Sequence, residues 1–367
     1  MNLGFHSPLP PARTGVAGYS ASLLPSLRKR CHVSANPSQP CDIDLYHIGN
    51  NALHRAIYLE ALARPGLVVL HDAALNHFYL GFGDRRRYLD EFVANYGAWR
   101  LGLAESLWRD RARSAQDPRY FSWPMLRSIV ESARGVVVHN PAAAEAARRH
   151  GAHGPIFEIP HLFTAPGAPP AMAVEHLRRS WGIEANGFLF AVFGHLRESK
   201  RLLPVLRAFS LVQRSCPDVF LLIAGEFVSL DLARAAAPLL RLPGVIRVPY
   251  MPESNFWLHA HAADACINLR YPSAGETSGI TIRFMGIGKP VLLTAGPETS
   301  AFPSESCLRV DPGLAEEEML SAFLVLLRDR PDIGRRIGRF AAAHIRQHHS
   351  VDAVADLYRA ACEQVLR

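Results

Sequence analysis

Glu276 is a lone carboxylate in the run Gly275-Glu276-Thr277-Ser278-Gly279. The apolar stretch before it, ACINLR (265–270), reads as a buried strand that Pro272 stops. Gly275 and Gly279 then permit a tight turn, and Thr277 or Ser278 is placed to cap a following helix. A helix start carries free N–H groups and a partial positive charge, which together seat a phosphate. A carboxylate beside such a seat does not bind phosphate. It accepts hydrogen bonds from hydroxyls on a group attached to the phosphate, as on a sugar. The plain alternative is that Glu276 only supplements the cap.

Four further stretches place polar residues where a strand gives way to a helix. In FGHLRESKR (193–201), Arg197, Lys200 and Arg201 lie within a turn of the junction, where a diphosphate is held by point charges and a helix end. In PPARTGVAGYS (10–20), Gly15 and Gly18 let backbone approach a ligand, although the pattern is neither GxGxxG nor a P-loop. The strands near 66–72 and 135–140 end in His71-Asp72 and His139-Asn140, and carboxyl ends are where open α/β sheets bind ligands. An imidazole there donates to a hydroxyl or moves a proton; equally, His71 and the nearby His77 serve local hydrogen bonds and Asp72 caps a helix. The histidines at 259, 261, 348 and 349 lack the spacing that zinc requires, so no metal is expected.

The elements that must position these groups follow from the rest of the chain. At 367 residues the protein is too long for one ordinary core, which predicts two domains. Hydrophobic residues make up 49% and charged residues 20%, a composition that excludes a disordered chain. Six cysteines without a CxxC pair argue against a disulfide framework or zinc ribbon. No basic region followed by an apolar run succeeds Met1, so no signal peptide is expected and the protein is read as cytoplasmic. A net charge of +7, with runs at Arg28-Lys29-Arg30 and Arg85-Arg86-Arg87, suits phosphates or an anionic membrane inner face; solvated helix faces are the bland alternative.

Short apolar runs alternate with helical stretches throughout, the signature of α/β architecture. Strands are predicted at 3–7, 44–49, 66–72, 135–140 and 156–161, then at 188–194, 219–226, 245–250, 265–270, 290–295 and 307–310. APGAPPAMA (165–173) is the linker, giving an N-terminal domain over 1–165 and a C-terminal one over 174–349. The tail from Leu314 reads as helical, with breaks near Arg330-Pro331 and at 348–350.

In order and spacing, PPARTGVAGY, His71-Asp72, FGHLRESKR, LLIAGE (221–226), PSAGETSG and GKPVL (288–292) resemble the GT-B glycosyltransferases, specifically the retaining group called GT4 that includes sucrose and mannosyl transferases. The resemblance covers nearly the whole chain. It implies two Rossmann-like doubly wound domains facing across a cleft, the last helix, about 350–367, joining the N-terminal domain. It also implies a nucleotide-sugar donor on the C-terminal domain and a carbohydrate or lipid-linked acceptor on the N-terminal one. Gly15, His195, Arg197, Lys200, Arg201, Glu226, Glu276, Thr277, Ser278, Gly279 and Arg283 fall on the donor side. Asp72, His77 and His139 fall on the acceptor side, and His71, Lys200 and Glu276 are the groups expected to act on the reacting centre. Neither metal, further cofactor nor nucleic acid is expected.

Two departures stand out from that family pattern. His195 occupies a position where an arginine is usual, leaving Arg197 or Arg201 to compensate. The family's second glutamate, which usually meets the ribose, falls on Phe284 counting forward from Glu276 and on Arg283 counting back from Gly288. Arg283 is then expected toward the phosphates or paired with Glu276. The reading is sugar transfer with retention, of the kind used in cell-surface polysaccharide or glycolipid synthesis. A nucleotide-sugar hydrolase or epimerase, or a non-catalytic binding module of the same fold, is the alternative.

Overall fold

The computed structural model describes residues 1–366 as two compact units. Unit 1 comprises Met1–Thr164, Pro272–Thr277 and the chain from His348 onward; unit 2 comprises Ala165–Tyr271 and Ser278–Gln347. The six-residue segment that carries Glu276 is thus part of unit 1, whereas the sequence alone runs the second domain unbroken from 174 to 349.

Unit 1 is built on β1 (Asn2–His6), β2 (His32–Ala35), β3 (Ile43–Ile48), β4 (Leu67–Leu70), β5 (Gly135–Val138) and β6 (Ile156–Glu158). They form one sheet in the order β2-β1-β3-β4-β5-β6, all parallel. Side chains alternate across it as strand geometry requires. Leu67, Val69 and Val137 join one core with the helix Gly15–Arg28 and the C-terminal helix Val351–Leu366; Val68, Leu70, Val136 and Val138 join the other. Burial on both faces is why these strands read as unbroken apolar runs. The edge strands differ: β6 is only half-buried, and β2, HVSA, is polar and lacks that signal.

Unit 2 repeats the plan with β7 (Phe188–Phe193), β8 (Val219–Ala224), β9 (Val245–Val248), β10 (Ala265–Asn268), β11 (Val291–Thr294) and β12 (Leu308–Val310). The order is β12-β11-β10-β7-β8-β9, again all parallel. Phe190, Val192, Leu221, Ile223 and Ile267 pack with the helices Leu202–Ser215 and Glu316–Asp329. The linker is shorter than its composition suggests, because Pro170 sits at the start of the helix Ala171–Ser180. The tail breaks where expected, into helices Glu316–Asp329, Pro331–His348 and Val351–Leu366. Between β4 and β5, the helices Arg85–Tyr96 and Leu101–Asp110 are separated at Gly97, whose φ of +87° is a left-handed-side conformation.

The helix Pro331–His348 lies close on the turn that leads into β11. A Cβ on Gly338 would stand 1.9 Å from the Gly288 carbonyl oxygen, and backbone on both sides cannot yield cheaply. Gly338→Ala is therefore expected to cost about 1–3 kcal/mol and to lower unit 2's thermal midpoint by several degrees. Gly102→Ala, a helical site with nothing within 4 Å of the new methyl, is the control and should be neutral or stabilising in the same melting experiment.

Candidate functional site

Parallel strands deliver their carboxyl ends to one edge of each sheet, and the predicted residues gather on those two edges. In unit 2, Gly194 follows β7 and Gly225 follows β8, and a Cβ on Gly225 (φ +142°) would fall 2.1 Å from the Gly194 oxygen. Only glycine allows that approach. The chain then makes the short turn Glu198–Lys200, which brings the Lys200 ammonium back under the sheet edge. Lys200 is buried; its Nζ donates to the Phe193 carbonyl at 2.5 Å and lies 3.5 Å from Asn268 Oδ1.

Asn268 ends β10 and organises the neighbouring helix start. Its Nδ2 donates to Ser278 Oγ and Thr281 Oγ1, both at 2.7 Å. Ser278 caps the helix Gly279–Gly286, accepting from Thr281 N, and Arg270 Nη2 donates to the same Ser278 oxygen at 3.2 Å. An ammonium, a guanidinium and a helix N-terminus thus converge on one sheet edge through a shared amide and hydroxyl. This is an arrangement suited to a phosphate or diphosphate. Arg270, Asn268 and Thr281 were not singled out in the sequence; the one available signal is their position at the end of an apolar run, where carboxyl-end residues gather.

Other predicted donor residues lie elsewhere. Arg201 does not stand in for the missing arginine: its guanidinium grips the Glu316 carboxylate, with Nε 3.0 Å from both oxygens and Nη2 at 2.5 Å. Glu316 is only 1% exposed, and a buried carboxylate commits its cation. Arg201 itself sits at φ +57°, a backbone conformation that residues with a side chain rarely adopt. Arg283 reaches neither phosphate seat nor Glu276. It pairs with Glu253 at 2.9 Å and lies over the Phe256 and Trp257 rings, while Phe284 is buried against Phe193. The second carboxylate is absent at both counted positions, one being outward and ion-paired, the other core. Arg197 and Glu226 are exposed at strand and turn ends, and His195 occupies the turn after β7.

On the edge of unit 1, the segment 272–277 is pinned to the ends of β4 and β5. Ala73 N donates to the Ala274 carbonyl at 2.7 Å. Asn140 caps the helix Pro141–Arg149 through Oδ1 while its Nδ2 donates to Gly275 O and Thr277 Oγ1, both at 3.0 Å. Gly275, at φ +77°, has no room for a Cβ, which would lie 2.6 Å from that of Ala73. Glu276 Oε2 accepts from Ala274 N at 2.9 Å, with Ser273 Oγ at 3.4 Å, so its own loop helps to orient the carboxylate.

Beside that loop lies a histidine cluster larger than the sequence suggested. His71 Nε2 is 2.9 Å from His47 Nδ1, and the His71 ring lies 5.0 Å from that of His139. Tyr19 touches His71, His139 and His161. His139 Nδ1 donates to the Ile159 carbonyl and His54 Nδ1 to that of His47, which fixes both tautomers. The repeated sequence signal is an apolar strand running into histidine, in LGFH, DLYH, VVLH and VVVH. Burial, reinforced by the neighbouring imidazoles, holds His71 and His47 well below the ordinary histidine range. Burial takes His54 and His139 to about 4. At neutral pH these rings are uncharged donors and acceptors, fitted to hydroxyls rather than anions.

Asp72 is not a helix cap; its Oδ2 accepts from Asn50 N at 2.7 Å. His77 serves packing, with Nε2 3.2 Å from the Ser114 carbonyl and its ring on Phe121. Gly15 opens the helix capped by Thr14, and a Cβ there would meet nothing within 4 Å. Among the described residues no three His, Cys, Asp or Glu side chains are grouped to hold a metal ion, and no helix is long and apolar enough to cross a membrane.

The neutral histidines carry a pH consequence. A buried histidine with a depressed pKa binds its proton less well folded than unfolded. Its stabilising contribution is therefore complete above about pH 6.5 and is lost as pH falls toward the folded value. Each such group should cost unit 1 up to about 2 kcal/mol between pH 6.5 and 5. His54→Gln removes one of them, and thermal unfolding across that range should show a correspondingly shallower loss; an unchanged slope would mean His54 titrates alike in the folded and unfolded chain.

No protein-family model matches the sequence, and no curated protein matches it. Solved structures do match over the whole chain. A sucrose-phosphate synthase from Thermosynechococcus elongatus shares 15% identity, with a TM-score of 0.70 over 100% of this chain and 99% of its own. HepE of Anabaena, solved with UDP-glucose, shares 14% identity, with a TM-score of 0.65 over 99% of this chain and 100% of its own. WaaG, a glycosyltransferase involved in lipopolysaccharide biosynthesis, shares 16% identity, with a TM-score of 0.61 over 97% of this chain and 99% of its own. Two six-stranded parallel sheets in these orders, matched end to end by such structures, give this chain the fold of the GT-B glycosyltransferases.

Proposed function

We propose that the protein transfers a sugar, a hexose, from a nucleoside diphosphate sugar to an acceptor hydroxyl, with retention at the anomeric carbon. The observation that carries this reading is the convergence of Lys200, Arg270 and the Ser278 helix start on one sheet edge. Positive charge fixed in advance at that seat stabilises the diphosphate as it departs, without a metal ion. The solved relatives support a nucleotide-sugar donor, since HepE has been crystallised with UDP and with UDP-glucose.

In unit 1, the Glu276 carboxylate and the neutral His71 imidazole are suited to hold sugar hydroxyls and orient the anomeric carbon, a contribution of positioning. Asp72 and His139 belong to the acceptor side, and no protein carboxylate is assigned as nucleophile. Because Phe284 and Arg283 replace the ribose-binding glutamate of the GT4 pattern, the nucleoside must be held by other contacts. The acceptor is a carbohydrate or a lipid-linked carbohydrate, and the setting is cytoplasmic synthesis of surface polysaccharide or glycolipid.

Glu276→Gln and Lys200→Met should each lower kcat at least about 100-fold with little change in melting temperature, measured as nucleoside diphosphate release from UDP-glucose, GDP-mannose and ADP-glucose with a sugar acceptor. Retention is read from the anomeric configuration of the product. Wild-type-like turnover in both variants would dismiss this site. Rapid donor breakdown without acceptor would instead favour hydrolysis.

A further inference from the structure

Three imidazoles of unit 1 start from one face of its sheet. His47 lies in β3 two residues after Leu45, and His71 and His139 follow β4 and β5 two residues after Val69 and Val137. Strand alternation therefore sends all three to the side on which Leu45, Val69 and Val137 are buried, and their rings meet there.

A neutral imidazole carries one N–H and one bare nitrogen, and what each nitrogen meets decides where the proton sits. At His54 and His139 backbone carbonyls make the choice, because a carbonyl only accepts. Both rings hold the proton on Nδ1 and leave Nε2 a buried lone pair. His47 differs: its Nδ1 meets another imidazole, His71 Nε2, at 2.9 Å, and that distance alone leaves the donor open.

The other nitrogen of His47 breaks the tie. The ring is fully buried against those of Phe5, Tyr19 and Tyr358, and its Nε2 has no hydrogen-bond partner. A proton there would be an orphaned buried donor, which folded proteins avoid more strictly than an unused lone pair. Burial keeps both rings uncharged at neutral pH, which excludes a proton on both nitrogens of either one. The His47 proton therefore belongs on Nδ1, where His71 Nε2 accepts it, and His71 must carry its own proton on Nδ1. His71 is only partly buried, and its Nδ1 has no partner among the described residues, so this is the nitrogen left to meet a ligand.

We propose that His47 is a positioning residue: its Nδ1–H donates to His71 Nε2 and holds His71 in the Nδ1–H tautomer, so that His71 offers a donor, and no base, to a sugar oxygen. The identity of that ligand rests on the sugar-transfer reading; the direction of the hydrogen bond does not.

Long-range proton–nitrogen correlation spectra of the full chain, isotopically labelled at histidine and recorded at neutral pH, test it without donor or acceptor. Nε2 couples strongly to both carbon-bound ring protons, so its bare or protonated state names the tautomer. Signals are assigned by their loss in His71→Gln and His47→Phe. In the wild type His47 and His71 should each show a bare Nε2 and a protonated Nδ1. His47→Asn keeps a donor amide where Nδ1 stood and should preserve the His71 pattern, whereas His47→Phe keeps a ring without the donor and should mix the two His71 tautomers. On the donor turned over among UDP-glucose, GDP-mannose and ADP-glucose, kcat/KM should fall about ten-fold in His47→Phe and stay within about three-fold in His47→Asn. No turnover of any of the three would count against sugar transfer, and the spectra would still decide the hydrogen bond. A protonated Nε2 on His71, two protonated nitrogens on either ring, or a His71 pattern indifferent to His47→Phe would overturn the proposal. Should His47→Phe melt early, the wild-type spectrum and His47→Asn carry the test.

Discussion

Parallel pairing is the constraint on which the rest of the structure depends. When all six strands of a sheet run the same way, every strand end and every following residue arrives at one edge. The neighbouring strands β4 and β5 therefore bring His71 and His139 together although 68 positions separate them, and β7 and β10 bring Lys200 to Asn268 across a similar stretch of chain. The apolar interior of each sheet fixes strand register; the polar ends, which contribute nothing to that core, are free to specialise.

The two edges have specialised in opposite electrostatic directions. In unit 2 the edge gathers an ammonium, a guanidinium and a helix start. In unit 1 the edge is lined by imidazoles that burial keeps uncharged, beside a carboxylate aligned by its own loop. Asn140 shows how economically the second edge is built: one side chain caps a helix and fastens the Gly275–Thr277 backbone and hydroxyl.

Strands buried on both faces were legible because apolar runs leave a period-independent trace, and the capping chemistry at Ser278 could be read from residue types alone. β2 escaped because an edge strand of four residues, HVSA, need not be apolar. Side-chain destinations were much less legible. Arg201 and Arg283 are cations in suggestive places, yet Glu316 and Glu253, each remote in sequence, claim them. Asn268 and Arg270 organise a helix start in unit 2, but an asparagine and an arginine at a strand end announce nothing until that helix is placed. The allocation of Pro272–Thr277 to unit 1 follows from hydrogen bonds to Ala73 and Asn140 that no local pattern encodes.

Isothermal titration of UDP, GDP and ADP into the wild-type chain and into Lys200→Met is the most direct measurement of whether the unit 2 edge is a diphosphate seat. The expected result is binding of at least one nucleoside diphosphate by the wild type, weakened at least about ten-fold in the variant by loss of one charge-assisted contact. Binding that is indifferent to Lys200, or no binding of any of the three, would contradict it.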